Sequence, residues 1–288
     1  MNKIAYFTAG SIGAGHLVRG LAIEKGLRRA GYRGQYEMYG PGIPFVIDAP
    51  PNHTTIEINS SQLRDPTRAK LSEVALILQA YDPDLVIIDM FWVPMIHIMD
   101  DLRAECWLLL HKCAPRWLKG PSFARFDPSR YDRVLATEPL NHPLLPEEIE
   151  PIVIFDPDEM EPPGALRQRI DVDDDTHLTV AMHAGMAGEI DTFEAPPSGE
   201  IFRSDMHTDG DVIFPIAKWL GDADAILSGA GYNVFWEAKW LGYYDRCHLK
   251  AFERPIDDQA WRLETLGDYE MKENGADQLA SMILGTSG

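Results

Sequence analysis

Twice in this 288-residue chain a short apolar run ends in a glycine-rich turn and feeds a helix-like segment. The first is residues 3–9, then Gly10-Ser-Ile-Gly13-Ala-Gly15-His16, then a helical stretch over 16–30 closed by Gly31. The second is residues 225–228, then Gly229-Ala-Gly231, then a helix over 232–241. Runs this short and this apolar are buried strands, and strands alternating with helices predict parallel sheets with crossover helices. The remaining segments fit that scheme. Residues 35–39 and 54–58 read as weaker strands around a Pro/Gly-rich loop at 40–51. Asp65-Pro66 opens a helix over 67–80, with an acid at the cap and Pro in the first turn. A strand over 84–89, a short helix over 95–104, and strands over 106–111 and 133–137 follow. Pro139, Pro143, Pro146 and Pro151 mark a connection. After it come strands over 177–182, 211–214 and 225–228, a short helix ending at 218–221, and helices over 232–241, 257–266 and 274–284. The expected architecture is α/β, two Rossmann-like doubly wound units in series, residues 1–150 and 151–288. Pro196, Pro197 and Gly199 fall where a crossover helix is expected, so the second unit reads as abbreviated.

Charge divides along the same line. The chain carries 26 Lys+Arg against 45 Asp+Glu, net −19. Residues 1–150 hold 16 basic and 18 acidic groups, whereas residues 151–288 hold 10 and 27. Such an acidic surface repels a phosphate backbone and argues against nucleic acid as a partner. Only the nearly neutral first half suits a peripheral contact with an anionic membrane. Cys106, Cys113 and Cys247 form neither a disulfide framework nor a zinc ribbon, which points to reduced thiols and a cytoplasmic setting. No apolar run reaches the length of a membrane span or of a signal peptide.

Three places carry chemistry. Gly13, Gly15 and His16 stand at the carboxyl edge of the first sheet, where ligands bind in open α/β folds. Glycine there lets backbone approach a ligand, and an imidazole can serve as general base. Capping of the helix by His16 explains the position equally well. At the second turn, Ser228, Gly229 and Gly231 lead into a helix whose N-terminus offers N–H groups to phosphate. Asn233 and Glu237, four apart, share one face of that helix. A carboxylate one turn behind a phosphate site can accept both hydroxyls of a ribose. Third, Asp257-Asp258-Gln259 opens a helix with side chains suited to sugar hydroxyls or to capping. Asp171-Val-Asp-Asp-Asp175 reads as a solvated turn rather than a metal site, and no metal or other cofactor is expected. His111 and Cys113 read as a cleft-lining imidazole and a packed thiol. His183 and His207 show no partner in the sequence. Trp117, with Arg116 and Lys119, suits an acceptor or membrane contact.

The array G-x-x-G-A-G-H at 10–16, D-A-D-A-I-L-S-G-A-G-Y-N-x-x-x-E-A-x-x-L-G at 222–242, and D-D-Q at 257–259 resembles the GT-B glycosyltransferases. Within them it is most similar to the group of MurG-type N-acetylglucosaminyltransferases and diacylglycerol galactosyltransferases. The resemblance implies two Rossmann-like domains facing across a cleft, with a nucleotide sugar, UDP-linked, held mainly by the second. It implies His16 as base toward an acceptor hydroxyl, with Gly13 and Gly15 across the cleft. Ser228, Gly229 and Gly231 would face the diphosphate, with Asn233 beside them on the helix. Glu237 would face the ribose, and Asp258 and Gln259 the donor sugar. Full-size members run well beyond 288 residues, and the loop at 183–188 lacks their paired glycines. Arg19 and the short chain also resemble the UDP-sugar hydrolase of pseudaminic acid biosynthesis, in which water replaces the acceptor. A third expectation is a nucleotide-sugar-binding protein without catalysis. The acceptor carries no motif, and stabilisation of the leaving diphosphate is assigned to backbone N–H groups without a protein cation.

Overall fold

In the computed structural model the apolar runs of the first half become the strands of a seven-stranded sheet. Residues 1–10, 14–42, 50–113, 126–142, 145, 147–194, 199–207, 212–254 and 256–286 are described. The strands are β1 (Lys3–Phe7), β2 (Gln35–Gly40), β3 (His53–Thr55), β4 (Leu85–Asp89), β5 (Glu105–Leu110), β6 (Arg133–Ala136) and β7 (Glu147–Glu148). They lie in the order 3-2-1-4-5-6-7, all parallel. Because strand order reverses between β1 and β4, a crevice opens at their carboxyl ends. Every residue of β4 is buried, as a strand covered on both faces requires.

The second sheet has β8 (Leu178–His183), β9 (Glu200–Asp205), β10 (Ala225–Gly229) and β11 (Cys247–Lys250), in the order 11-10-8-9, again parallel. The helices are α1 (Gly15–Arg29), α2 (Ser60–Leu63), α3 (Pro66–Ala69), α4 (Glu73–Tyr81), α5 (Trp92–Met95), α6 (Ala165–Ile170), α7 (Tyr232–Trp240), α8 (Gln259–Thr265) and α9 (Gly275–Leu284). The last helix returns to the first unit. Ala276, Leu279, Ala280 and Ile283 of α9 share a core with Ile23 and Leu27 of α1 and with Leu85 and Ile87 of β4.

Several expected elements shift. The helix over 67–80 is two helices, because the Ser72 hydroxyl donates to the Ala69 carbonyl and caps Ala75 N–H, starting α4 afresh. The helix over 95–104 is replaced by α5 and a 3-10 turn at Met99–Asp101. Described residues 212–214 form no strand; the second sheet takes β9 instead, reached from β8 through a 3-10 turn at Glu189–Thr192. Gly13 and the Arg116–Lys119 segment lie outside the described residues. Asp173, Asp174 and Asp175 are exposed. Among the described residues no helix is long and apolar enough to cross a membrane.

A buried polar network ties the two units together. The Glu138 carboxylate, just past β6, accepts from Trp236 Nε1 at 3.0 Å, from Arg262 Nε at 3.0 Å and from Lys112 N at 2.6 Å. Arg262 also donates to Asp257 and to the Ala230 carbonyl. Glu138 and Arg262 are both fully buried, a placement that charges tolerate only when paired on every side.

Candidate active site

The carboxyl ends of both sheets face one cleft of about 440 Å³. On the first unit its wall begins with His16, the second residue of α1. Gly10 is required here, since a Cβ would stand 2.2 Å from His16 Cδ2 and 3.0 Å from Phe91 Cε2. The His16 ring packs edge-on against Phe91 at 5.2 Å, and its Nδ1 lies 2.7 Å from Asp89 Oδ2. Asp89 is the last residue of β4, next to β1, so the topological switch places the carboxylate behind the imidazole. It also accepts from the Tyr6 hydroxyl and the Arg19 guanidinium. Burial opposes ionisation of Asp89, but Arg19, His16 and the Tyr6 hydrogen bond outweigh it and hold the carboxyl well below the usual range. A carboxylate on Nδ1 fixes the tautomer with its proton there, and Nε2 presents a lone pair to the cleft. Asp89 is a site residue that the sequence reading passed over. Its signal was a buried acid ending a wholly apolar strand. Arg19, one turn beyond His16, is buried between Asp89 and the Tyr232 ring, 4.2 Å from the ring centroid.

The second unit supplies the opposite wall. Ser228, Gly229 and Gly231 line it, and Gly229 is closely packed, since a Cβ there would meet Phe252 at 3.2 Å and His183 at 3.4 Å. Asn233 reaches across, its Nδ2 donating to the Gly15 carbonyl at 2.9 Å, while its buried Oδ1 finds no partner. Glu237 is buried at 6% exposure, Oε1 has no hydrogen-bond partner, and burial pushes its carboxyl up to about 8. An unsatisfied buried carboxyl facing a cleft has room to accept donors from a ligand. Phe214, Ile216, Ala217 and Val234 add to the same cleft an apolar surface of the kind that receives a flat ring.

The third candidate group divides. Gln259 lines the cleft, and its Oε1 accepts from Phe252 N. Asp258 instead caps α8, accepting from Trp261 N at 3.2 Å, and lies outside the cleft lining. Asp257 takes the inward place, bound to Arg262 at 2.7 Å and 3.6 Å from His111 Nδ1. His111 lines the cleft as read from sequence, and burial together with the Arg19 charge pushes its imidazole down to about 4. Cys113 is buried.

His183 and His207 both have partners. His183 Nε2 lies 2.6 Å from Glu189 Oε2, and His207 Nε2 lies 2.8 Å from the Gly185 carbonyl. Among the described residues no group of three or more His, Cys, Asp or Glu is placed to hold a metal ion.

No family model matches this chain, and no curated protein does. Solved structures do. The spinosyn rhamnosyltransferase SpnG, complexed with spinosyn aglycone, matches with TM-score 0.50 at 14% identity, covering 98% of this chain and 95% of that one. MnaA of S. aureus, in complex with UDP, matches with TM-score 0.51 at 9% identity, covering 99% and 88%. The fold is GT-B. At these identities the likeness concerns architecture, and a finer kinship with the MurG-type group does not follow from it.

Proposed function

We propose that the cleft binds a UDP-type nucleotide sugar and that the chain transfers the sugar to a hydroxyl acceptor. The observation that carries this reading is Glu237, a buried carboxyl with an unpartnered oxygen, on the helix that starts from the glycine turn at 229–231. A ribose diol donates to that carboxyl, the base lies along Phe214–Ala217, and the diphosphate meets the N–H groups at the start of α7. SpnG holds an aglycone and MnaA holds UDP in the same architecture, which is consistent with this assignment.

His16 faces the donor from the other wall. Its Nε2 takes the proton of the acceptor hydroxyl as that oxygen attacks the anomeric carbon. The bond from that carbon to the diphosphate breaks, and the diphosphate leaves with the electron pair. Asp89 orients the ring and stabilises the imidazolium that forms. In this reading residues 1–150 form the acceptor side and residues 151–288 the donor side, apart from α9, which packs on the first. Asp258 would act on the sugar only indirectly, by starting α8 so that Gln259 faces the cleft.

A thermal-shift screen against nucleotides and nucleotide sugars tests the binding half. A ligand at a hundred times its Kd stabilises by about 2.7 kcal/mol. A shift with UDP and UDP-sugars is expected, and no shift with any of them contradicts the reading. With a UDP-sugar that binds, His16→Ala should lose about 10²- to 10⁴-fold in turnover while UDP affinity stays within twofold. Stoichiometric free sugar released without an acceptor would assign the chain to the hydrolases, where water takes the acceptor's place beside His16.

A further inference from the structure

Resting on that donor-site reading, we infer that Arg254 is the cation that receives the donor's diphosphate. Glu189 is the carboxylate that positions it and competes with phosphate for it. Beside the backbone N–H groups expected at the diphosphate, the geometry adds a side chain.

Position is the first argument. β8 and β10 are adjacent and parallel, paired at Ala225↔Thr179 through Leu227↔Ala181. Their carboxyl ends, His183 and Gly229, therefore lie side by side, and a Cβ on Gly229 would stand 3.4 Å from His183 Cε1. Arg254 sits at this same edge. A Cβ on Gly185 would fall 2.7 Å from its Nη2 and 2.5 Å from His183 Nε2. The guanidinium thus lies against the turn at Gly185, beside the carboxyl ends of β8 and β10.

Charge is the second. Among the described residues lining the cleft, the two permanent cations are Arg19 and Arg254. Arg19 belongs to the first unit and is committed to Asp89 beneath the Tyr232 ring. Arg254 is 12% exposed and is the cation on the donor wall, in the half of the chain where 27 acids face 10 bases. Its planar fork suits two phosphate oxygens as well as it suits a carboxylate.

The third argument is how it is held. Arg254 Nη1 donates to Glu189 Oε1 at 2.7 Å, and Nη2 donates to Oε2. Glu189 Oε2 lies 2.6 Å from His183 Nε2 and accepts from Met186 N at 3.0 Å. When the guanidinium turns toward phosphate, those two groups stay on Glu189 Oε2, and the carboxylate, 17% exposed, is not left as a fully buried charge. Phe252 lies under the guanidinium at 5.4 Å and supports either position.

The test is calorimetric titration of UDP and of uridine into wild type, Arg254→Ala, Arg254→Lys, Glu189→Gln and the Arg254→Ala/Glu189→Gln double variant. Arg254→Ala should weaken UDP by about 10- to 100-fold, the range of a charged hydrogen-bond partner, and leave uridine unchanged. Arg254→Lys should fall between. Glu189→Gln should tighten UDP several-fold when Arg254 is present and not in the double variant. Equal losses for UDP and uridine in both Arg254 variants, or no loss in either, overturn the assignment, as does tightening by Glu189→Gln without Arg254. Glu237→Ala separates the two readings, since it weakens uridine and UDP alike if the donor site is correctly placed. A Glu237 effect without an Arg254 effect rejects this inference alone. Failure of the wild type to bind UDP rejects both.

Discussion

At the scale of single residues, the site is a set of side chains whose roles depend on what lies behind them. His16 was legible because it follows a glycine turn at a sheet edge, but Asp89 was not, since 73 positions separate them. Only the adjacency of β1 and β4 brings the two together. Glu237 was legible from its spacing to Asn233, whereas its burial was not, because local spacing carries no information about how tightly the opposite wall closes. At 257–259 the Asp258 carboxylate is spent as the helix cap on Trp261 N, and Asp257, just outside the helix, holds the inward place against Arg262. Asp89→Asn should cost most of the base's contribution, about 10²- to 10⁴-fold in turnover. The same change leaves Arg19 a buried cation without its counter-ion, so melting curves must accompany the kinetics. Glu237 makes a prediction through its displaced titration. Its carboxyl is raised from the ordinary 4.5 to about 8, so the folded protein holds a proton that the unfolded chain releases. That contribution is present below about 4.5 and lost as the pH rises through about 8. Glu237→Gln should therefore gain stability relative to wild type as pH rises from 5 to 8 in urea unfolding. A pH-independent difference contradicts the burial argument.

At the scale of elements, the strands that came through best are those whose apolar runs are short and unbroken, β1, β4, β5 and β10. Burial on both faces leaves such runs no other place. β9 escaped because half of its residues are exposed and only Ser204 is buried, a burial pattern an edge strand has and a core strand lacks. Over 67–80 the apolar spacing runs on and predicts one helix, and the Ser72 hydroxyl bond that divides it is a local competitor that periodicity does not register. The α1–α9 contact was invisible in sequence. Gly26 marks it, since a Cβ there would stand 2.5 Å from the Ala276 carbonyl oxygen. Gly→Ala inside a helix ordinarily stabilises by about 0.5–1 kcal/mol. At Gly26 the sign should reverse, with a loss of about 1–3 kcal/mol from overpacking against backbone. A stabilised Gly26→Ala in denaturant unfolding would show that the helices are not so closely apposed.

At the scale of the whole molecule, two parallel sheets present their carboxyl edges to a single cleft, and three ties fix the distance between its walls. These are Asn233 on the Gly15 carbonyl, the Glu138–Arg262–Trp236 network, and α9 packed back on α1. Glu138→Ala leaves Arg262 buried with a reduced set of partners and should cost about 3 kcal/mol or more in global stability. The acid excess of residues 151–288 gains a structural meaning here. On the proposed reading an anionic donor enters that half through local groups, the N–H donors of α7 and the Arg254 fork, rather than through a favourable overall field. The account stands most directly on the titration of UDP into the wild-type protein and into Glu237→Ala. It predicts saturable binding at one site in the wild type, weakened about tenfold or more by the substitution. Equal affinity in the two proteins would contradict it.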